Sequence, residues 1–175
     1  MESEMVELLS SLTDARRAHS IEVGRKVESM ADSLPVEIRS MTISAAYLHD
    51  VGYGHPVIGF HPIDGANLLR ERGYPDCVCH IVAFHSASVV EAEVRELDRA
   101  LFDPFQTLDV PGIAQANDLV WWADMTTGPN GETFTFDERL SEIRSRYEKG
   151  SIVHTAIDRA EPLLRAAVQR ASGSM

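Results

Sequence analysis

Apolar side chains recur every three or four residues along nearly the whole of this chain, and that feature confines it to helices. Met5, Leu8, Leu9 and Leu12 open the series, and Ala15, Ala18, Ile21, Val23, Val27 and Met30 continue it. A spacing near 3.6 gathers such residues on one face of a helix, whereas a half-buried strand needs strict alternation. Alternation of that kind is nearly absent. The chain therefore reads as an all-α, compact, single-domain bundle of about seven helices over residues 1–175.

Turn and cap residues divide the pattern. Thr13 and Asp14 suit the start of a helix that carries His19, and Ser33-Leu34-Pro35 ends it, with Pro35 suited to the first turn of the next helix, 36–49. Two glycines and a proline in Val51-Gly52-Tyr53-Gly54-His55-Pro56 make a loop. Further helices are predicted over 61–72, ended by Gly73, and over 75–85 and 89–97. Asp103-Pro104-Phe105 through Pro111-Gly112 is an irregular connection. A buried helix follows from Ile113 to Asp124, then the turn cluster Thr126-Thr127-Gly128-Pro129-Asn130-Gly131. A charged helix over 136–149 and an amphipathic one over 152–171 precede the polar tail Ser172-Gly173-Ser174-Met175.

Composition narrows the function classes. The 175 residues are 44% hydrophobic, enough for one continuous core, and 16 basic against 27 acidic residues leave a formal charge of −11. A long nucleic acid would be repelled by that charge, although bound cations can reverse the local field inside one pocket and admit a small phosphorylated, nucleotide-like substrate. No run reads as a membrane span and the start, MESEMVELL, is acidic, so a cytoplasmic protein with no membrane partner is expected. A homodimer is left open. Cys77 and Cys79 sit one residue apart in an apolar stretch, poor geometry for a disulfide, and are read as reduced core residues with His80 beside them.

The informative pair is His49-Asp50, placed where the apolar run Ile43 to Leu48 meets the glycine loop. Adjacent helical residues project about 100° apart, so both reach one ion only if the helix stops there. Imidazole with carboxylate suits borderline or harder divalent metals such as iron, manganese, zinc, nickel or cobalt. Alone, the pair also fits a plain helix terminus. It has company in order along the chain: His19, His61, His85 and Asp124. Each has its own plain alternative: a core histidine for His19, a loop residue before a proline-led helix for His61, and a turn residue for Asp124. Asp118 competes with Asp124. His55 and His154 read as loop and surface histidines, Trp121-Trp122 as core, and Arg139 and Glu142 as decoration of an exposed helix more than as pocket residues.

On Arg16-Arg17-Ala18-His19-Ser20, Tyr47-Leu48-His49-Asp50-Val51-Gly52 and Trp122-Ala123-Asp124-Met125, the sequence resembles the HD-domain superfamily of metal-dependent phosphohydrolases over residues 14–126. The resemblance implies an HD-type helical bundle, with helices 136–171 following its core. It also implies that His19, His49, Asp50 and Asp124 bind metal, and it favours Asp124 over Asp118. A two-metal subset adds two histidines, which His61-Pro62-Ile63-Asp64-Gly65-Ala66 and Ala83-Phe84-His85-Ser86 resemble. One or two divalent ions per chain (iron, manganese, zinc, nickel, cobalt or magnesium) are therefore expected, with two favoured and Asp50 bridging them. By resemblance Arg16, one turn before His19, faces the same pocket and holds a substrate phosphate.

The expected activity is hydrolysis of a phosphomonoester or phosphoanhydride in a small nucleotide-like substrate, with Asp50 and Arg16 in catalytic roles. A di-iron oxygenase using the same six ligands is the alternative, and a metal-binding sensor without catalysis a third. The sequence departs from the family where Tyr53 follows Gly52, since many relatives have a lysine nearby.

Overall fold

The computed structural model describes residues 2–106 and 109–173. Among the described residues nine α-helices run in order: α1 Glu2–Ser10, α2 Asp14–Met30, α3 Val36–Leu48, α4 His61–Glu71, α5 Asp76–Phe84, α6 Ser88–Val94, α7 Ile113–Asp124, α8 Phe136–Arg146 and α9 Ile152–Ser172. Among the described residues there is no strand, and only an isolated bridge between Thr127 and Thr133 has β character. The all-α expectation holds, with nine helices where about seven were expected. Thr107 and Leu108 of the expected irregular connection, and Ser174 and Met175 of the tail, lie outside the described residues.

Local chemistry sets most boundaries. Thr13 caps α2 by accepting from the Arg16 backbone N–H, as its position suggests. Pro35 stands at the N-cap of α3, one residue outside the helix, where its fixed φ still prepares the first turn. The helix expected over 89–97 stops at Val94 because Glu96 takes a left-handed backbone, φ 57°. The charged helix expected to reach 149 stops at Arg146, since Tyr147 is extended. Its start is held by a capping box in which Thr135 and Glu138 satisfy each other's backbone N–H groups. Thr135→Ala should therefore lower stability by about 1 kcal/mol, a drop of roughly 2–4 °C in the thermal midpoint measured by circular dichroism; an unchanged midpoint would show that the cap is idle.

Two apolar clusters fill the molecule. The larger gathers Val23 and Val27 of α2, Ile38, Ala45 and Leu48 of α3, Ile63 and Leu69 of α4, Ile81 and Val82 of α5, and Leu119, Val120 and Ala123 of α7. The smaller joins Met125, Phe136, Leu140, Ile143, Ala160 and Leu164, so that α8 and α9 close over the end of α7. The buried face of α9 reads Ala156, Ala160, Leu164, Ala167 and Ala171, and these small residues let it lie close to its neighbours. The end of α7 serves both clusters, Ala123 in the larger and Met125, just after the helix, in the smaller.

By length and composition alone, and contrary to the reading of the apolar runs, Asp76–Val94 would pass for a membrane span. In the fold it is mostly buried and is broken into α5 and α6 at Ser86 and Ala87, both with positive φ.

Candidate metal centre

Six side chains separated by up to 105 positions in sequence converge where α2, α3, α4, α5 and α7 meet. They form two groups of three whose ligand atoms lie within 4.8 Å of one another: His19, His49 and Asp124, and beside them Asp50, His61 and His85.

Each arrives by a different local device. His19 projects from the middle of α2 and is buried. His49 is the C-cap of α3, after which Asp50 leaves the helix at φ −95°, ψ 2°, so two adjacent residues turn toward one place. His61 opens α4. The loop before it is held by Asp64, whose carboxylate accepts from the backbone N–H groups of Ile58, Gly59 and Phe60 at 3.0, 3.0 and 3.1 Å. His85 ends α5 in an extended conformation, followed by Ser86 and Ala87 at φ 46° and 57°. Two successive left-handed non-glycine residues are strained, and strain of this kind survives where the surroundings over-determine it. Here the Ser86 hydroxyl donates to Asp124, the last residue of α7, and so ties the strained turn to a ligand.

The hydrogen bonds decide which ring nitrogen faces inward. The Nδ1–H groups of His19, His49 and His85 donate to the carbonyls of Gly128 (2.9 Å), Ala46 (2.8 Å) and Val82 (2.6 Å). A carbonyl can only accept, so in the neutral ring each Nε2 carries a lone pair. Yet His19 Nε2 and His49 Nε2 are 3.3 Å apart, and His61 Nε2 and His85 Nε2 are 3.2 Å apart. Two neutral rings at His19 and His49 would set lone pairs against each other unless a positive species lies between them, whereas no hydrogen bond among the described residues fixes the His61 tautomer. Burial pushes the His49 and His61 imidazoles below their ordinary pKa, which disfavours a proton as that species. Burial also opposes charge on His19, but the Asp124 hydrogen bond and nearby carboxylates outweigh it and raise its pKa. The donor set fits a divalent cation in each group.

The carboxylates complete the fit. Asp124 Oδ1 stands 3.1 Å from His19 Nε2 and 3.9 Å from His49 Nε2. Asp50 Oδ1 faces both groups, 3.4 Å from His61 Nε2 and 3.7 Å from His49 Nε2, while its Oδ2 accepts from Arg16 Nη1 at 3.0 Å. Burial resists ionisation of both acids, but the surrounding imidazoles, joined by Arg16 at Asp50, hold each below the usual carboxylate range. The site thus offers anionic oxygen and imidazole nitrogen together.

Other sequence expectations sort themselves by position. Asp118 pairs with Arg170 at 2.7 Å, so it is engaged elsewhere. Cys77, Cys79 and His80 are buried on α5, and His80 donates to the Phe105 carbonyl at 2.7 Å; the cysteines are free thiols. His154 lies 3.3 Å from Asp158 on α9, partly buried and not a freely exposed surface residue. Trp122 packs against the larger cluster and Trp121 against the smaller.

A cavity of about 340 Å³ opens on the candidate ligands and is lined by Arg16, His19, Asp50, Tyr53, His61, His85 and Asp124, and also by Arg139, Ile143 and Tyr147. Arg139 therefore does not decorate an exposed helix: it is buried one turn from Ile143, on the face that α8 turns inward. Its single charge at an inward position could not be told from a solvated one by residue type. Sequence reasoning also gave Tyr53 no role. Its ring stacks on His61 with centroids 4.0 Å apart and the Arg16 guanidinium lies 3.2 Å over it, so one aromatic side chain sets the planes of two site residues. Its place between two glycines was the only hint.

Among families of known proteins, the model described as HD domain matches residues 16–115, more than half of the chain. No curated protein and no solved structure matches.

Proposed function

The chain belongs to the HD-domain family, and from that premise we propose that it is a metal-dependent phosphohydrolase acting on a phosphomonoester or phosphoanhydride of a small nucleotide-like molecule in the cytoplasm. The observation that carries the proposal is the convergence of His19 Nε2 with His49 Nε2, 3.3 Å apart, and of His61 Nε2 with His85 Nε2, 3.2 Å apart, beside buried Asp50 and partly buried Asp124. His19, His49 and Asp124 would hold one ion, and Asp50, His61 and His85 the other. Four nitrogen donors suit iron, manganese, zinc, nickel or cobalt better than magnesium, which prefers an all-oxygen shell. When bound, a pair of such ions supplies Lewis acidity, which lowers the pKa of water and offsets the negative charge that builds on a phosphoryl group.

The chain's own residues do the rest. Asp50, whose Oδ1 faces both groups, fixes the spacing of the two sites, and its Oδ2 positions Arg16 at the cavity wall. A guanidinium there is suited to a non-bridging phosphoryl oxygen through a charge-assisted hydrogen bond. Tyr53 keeps Arg16 and His61 in their planes, and Ser86 and the Gly128 carbonyl orient Asp124 and His19.

Anaerobic purification followed by elemental analysis tests the reading. One or two ions per chain are expected. Chelation should abolish phosphate release from a panel of nucleotides and phosphomonoesters, and re-addition of metal should restore it without oxygen uptake. No phosphate released with any metal would end the hydrolase reading, and oxygen consumed in step with turnover would replace it with the oxygenase.

A further inference from the structure

The part of the cavity wall formed by α8 is charged as well, and the hydrolytic reading makes no use of it. Arg139 on α8 has only 9% of its side chain exposed, and its Nε finds no hydrogen-bond acceptor among the described residues. A guanidinium carries five N–H donors, and a buried one left unpaired is costly. Its Nη1 donates to Glu142, whose other oxygen lies 2.5 Å from Arg146 Nε. One carboxylate held between two guanidiniums leaves a net positive charge. A further acid lining the cavity, Glu91, is bonded to Arg95 at 2.7 Å. In a chain of formal charge −11, this part of the cavity is therefore electropositive.

Ile143, Val153 and Ile157 supply an apolar surface along the same cavity, with the Tyr147 ring beside Arg146. The HD domain match stops at residue 115, so Arg139, Arg146 and these apolar residues come from chain outside it.

We propose that Arg139 and Arg146 form a subsite for a second oxyanion of the substrate, phosphate or carboxylate, remote from the bond that is cleaved. The inference rests on the hydrolytic reading only in placing the reacting phosphate at the Asp50 end. Two cationic poles, Arg16 and the Arg139–Arg146 pair, flank one cavity with an apolar surface, and that arrangement selects a molecule with two anionic groups on a partly apolar body. At about 340 Å³ the cavity stands near the small end of ligand pockets, which run from roughly 300 to 1,000 Å³. It suits a single nucleotide-sized body better than a dinucleoside polyphosphate.

Calorimetric titration of the full chain with adenosine bisphosphate, phosphorylated at both ends of the ribose, and with adenosine monophosphate tests this. The titration is run on metal-loaded and on chelator-stripped protein. The bisphosphate should bind at least about tenfold more tightly, and Arg139→Gln and Arg146→Gln should each remove about 10- to 100-fold of its affinity. Monophosphate affinity and metal content should not change. Because Arg139 is buried and its variant can fail to fold, Arg146→Gln, at a side chain 40% exposed, carries the test independently. Equal binding of the two probes by the unaltered protein, or full bisphosphate affinity in a folded Arg146→Gln, overturns the subsite. Selective loss in stripped protein that also fails to take up metal would keep the subsite and sink the hydrolase.

Discussion

Asp50→Ala is expected to remove bound metal and turnover together, each by at least about 100-fold, with the helical signal in circular dichroism unchanged. The lower bound comes from residues that merely orient a ligand, whose loss typically costs 10–100-fold in metal affinity or activity. Asp50 stands closer to the chemistry than that. It is the one carboxylate with an oxygen toward both groups, 3.4 Å from His61 and 3.7 Å from His49, so its removal weakens both sites at once. It also releases Arg16, whose Nη1 it holds at 3.0 Å. The fold should tolerate the change because Asp50 sits between helices, at the start of a short turn, where no helical hydrogen bond depends on its side chain. Elemental analysis, phosphate release and circular dichroism on one preparation decide it. A variant that keeps its ions and its rate would remove Asp50 from the centre and with it the bridging geometry.

Gly52→Ala should be the most damaging single methyl group in the protein. A Cβ at this position would lie 2.1 Å from the His61 carbonyl oxygen and 2.6 Å from the Gly65 backbone nitrogen. Both are main-chain atoms of α4 and cannot rotate away. The turn after Asp50 and the start of α4 would have to separate, which places the cost at or above the upper end for overpacked cores, about 3 kcal/mol, or roughly 6–12 °C in Tm. The same movement carries His61 away from Asp50 and His85, so metal affinity should fall with stability. Gly59→Ala is the matching control: its φ of +80° strains an alanine, but nothing lies within 4 Å. That variant should lose only about 1–2 kcal/mol and keep its metal. Thermal melts with metal counts test the pair, and a Gly52→Ala protein that matches Gly59→Ala in both would show that the contact with α4 does not hold His61 in place.

The limits of what could be read from sequence follow from the range of the forces involved. Helix starts were legible at Thr13 and at 36, 61, 113 and 136 because caps, prolines and apolar periodicity act within a turn or two. Ends were less so. Val94 and Arg146 terminate helices whose charged residues could have continued them, and Glu96 and Tyr147 change conformation there for no locally visible reason. The six candidate ligands were legible as residue types in an order, yet nothing local paired His19 with Asp124 or His61 with His85.

Residue chemistry and periodicity were sufficient by themselves to determine that this chain is all helical and that His49 and Asp50 stand at a helix end, and the family resemblance added the six candidate cation ligands. Only tertiary structure decided that the nitrogens face one another, that Tyr53 lies between Arg16 and His61, that Ser86 is strained onto Asp124, and that Arg139 looks into the cavity. The physical reason is distance along the chain: helix propensity and capping are settled between neighbours, and the spacing of Phe136, Leu140 and Ile143 marks an inward face of α8, but that Arg139 beside that face opens on the cavity is set by Leu140 and Ile143 packing with Leu164 and Met125.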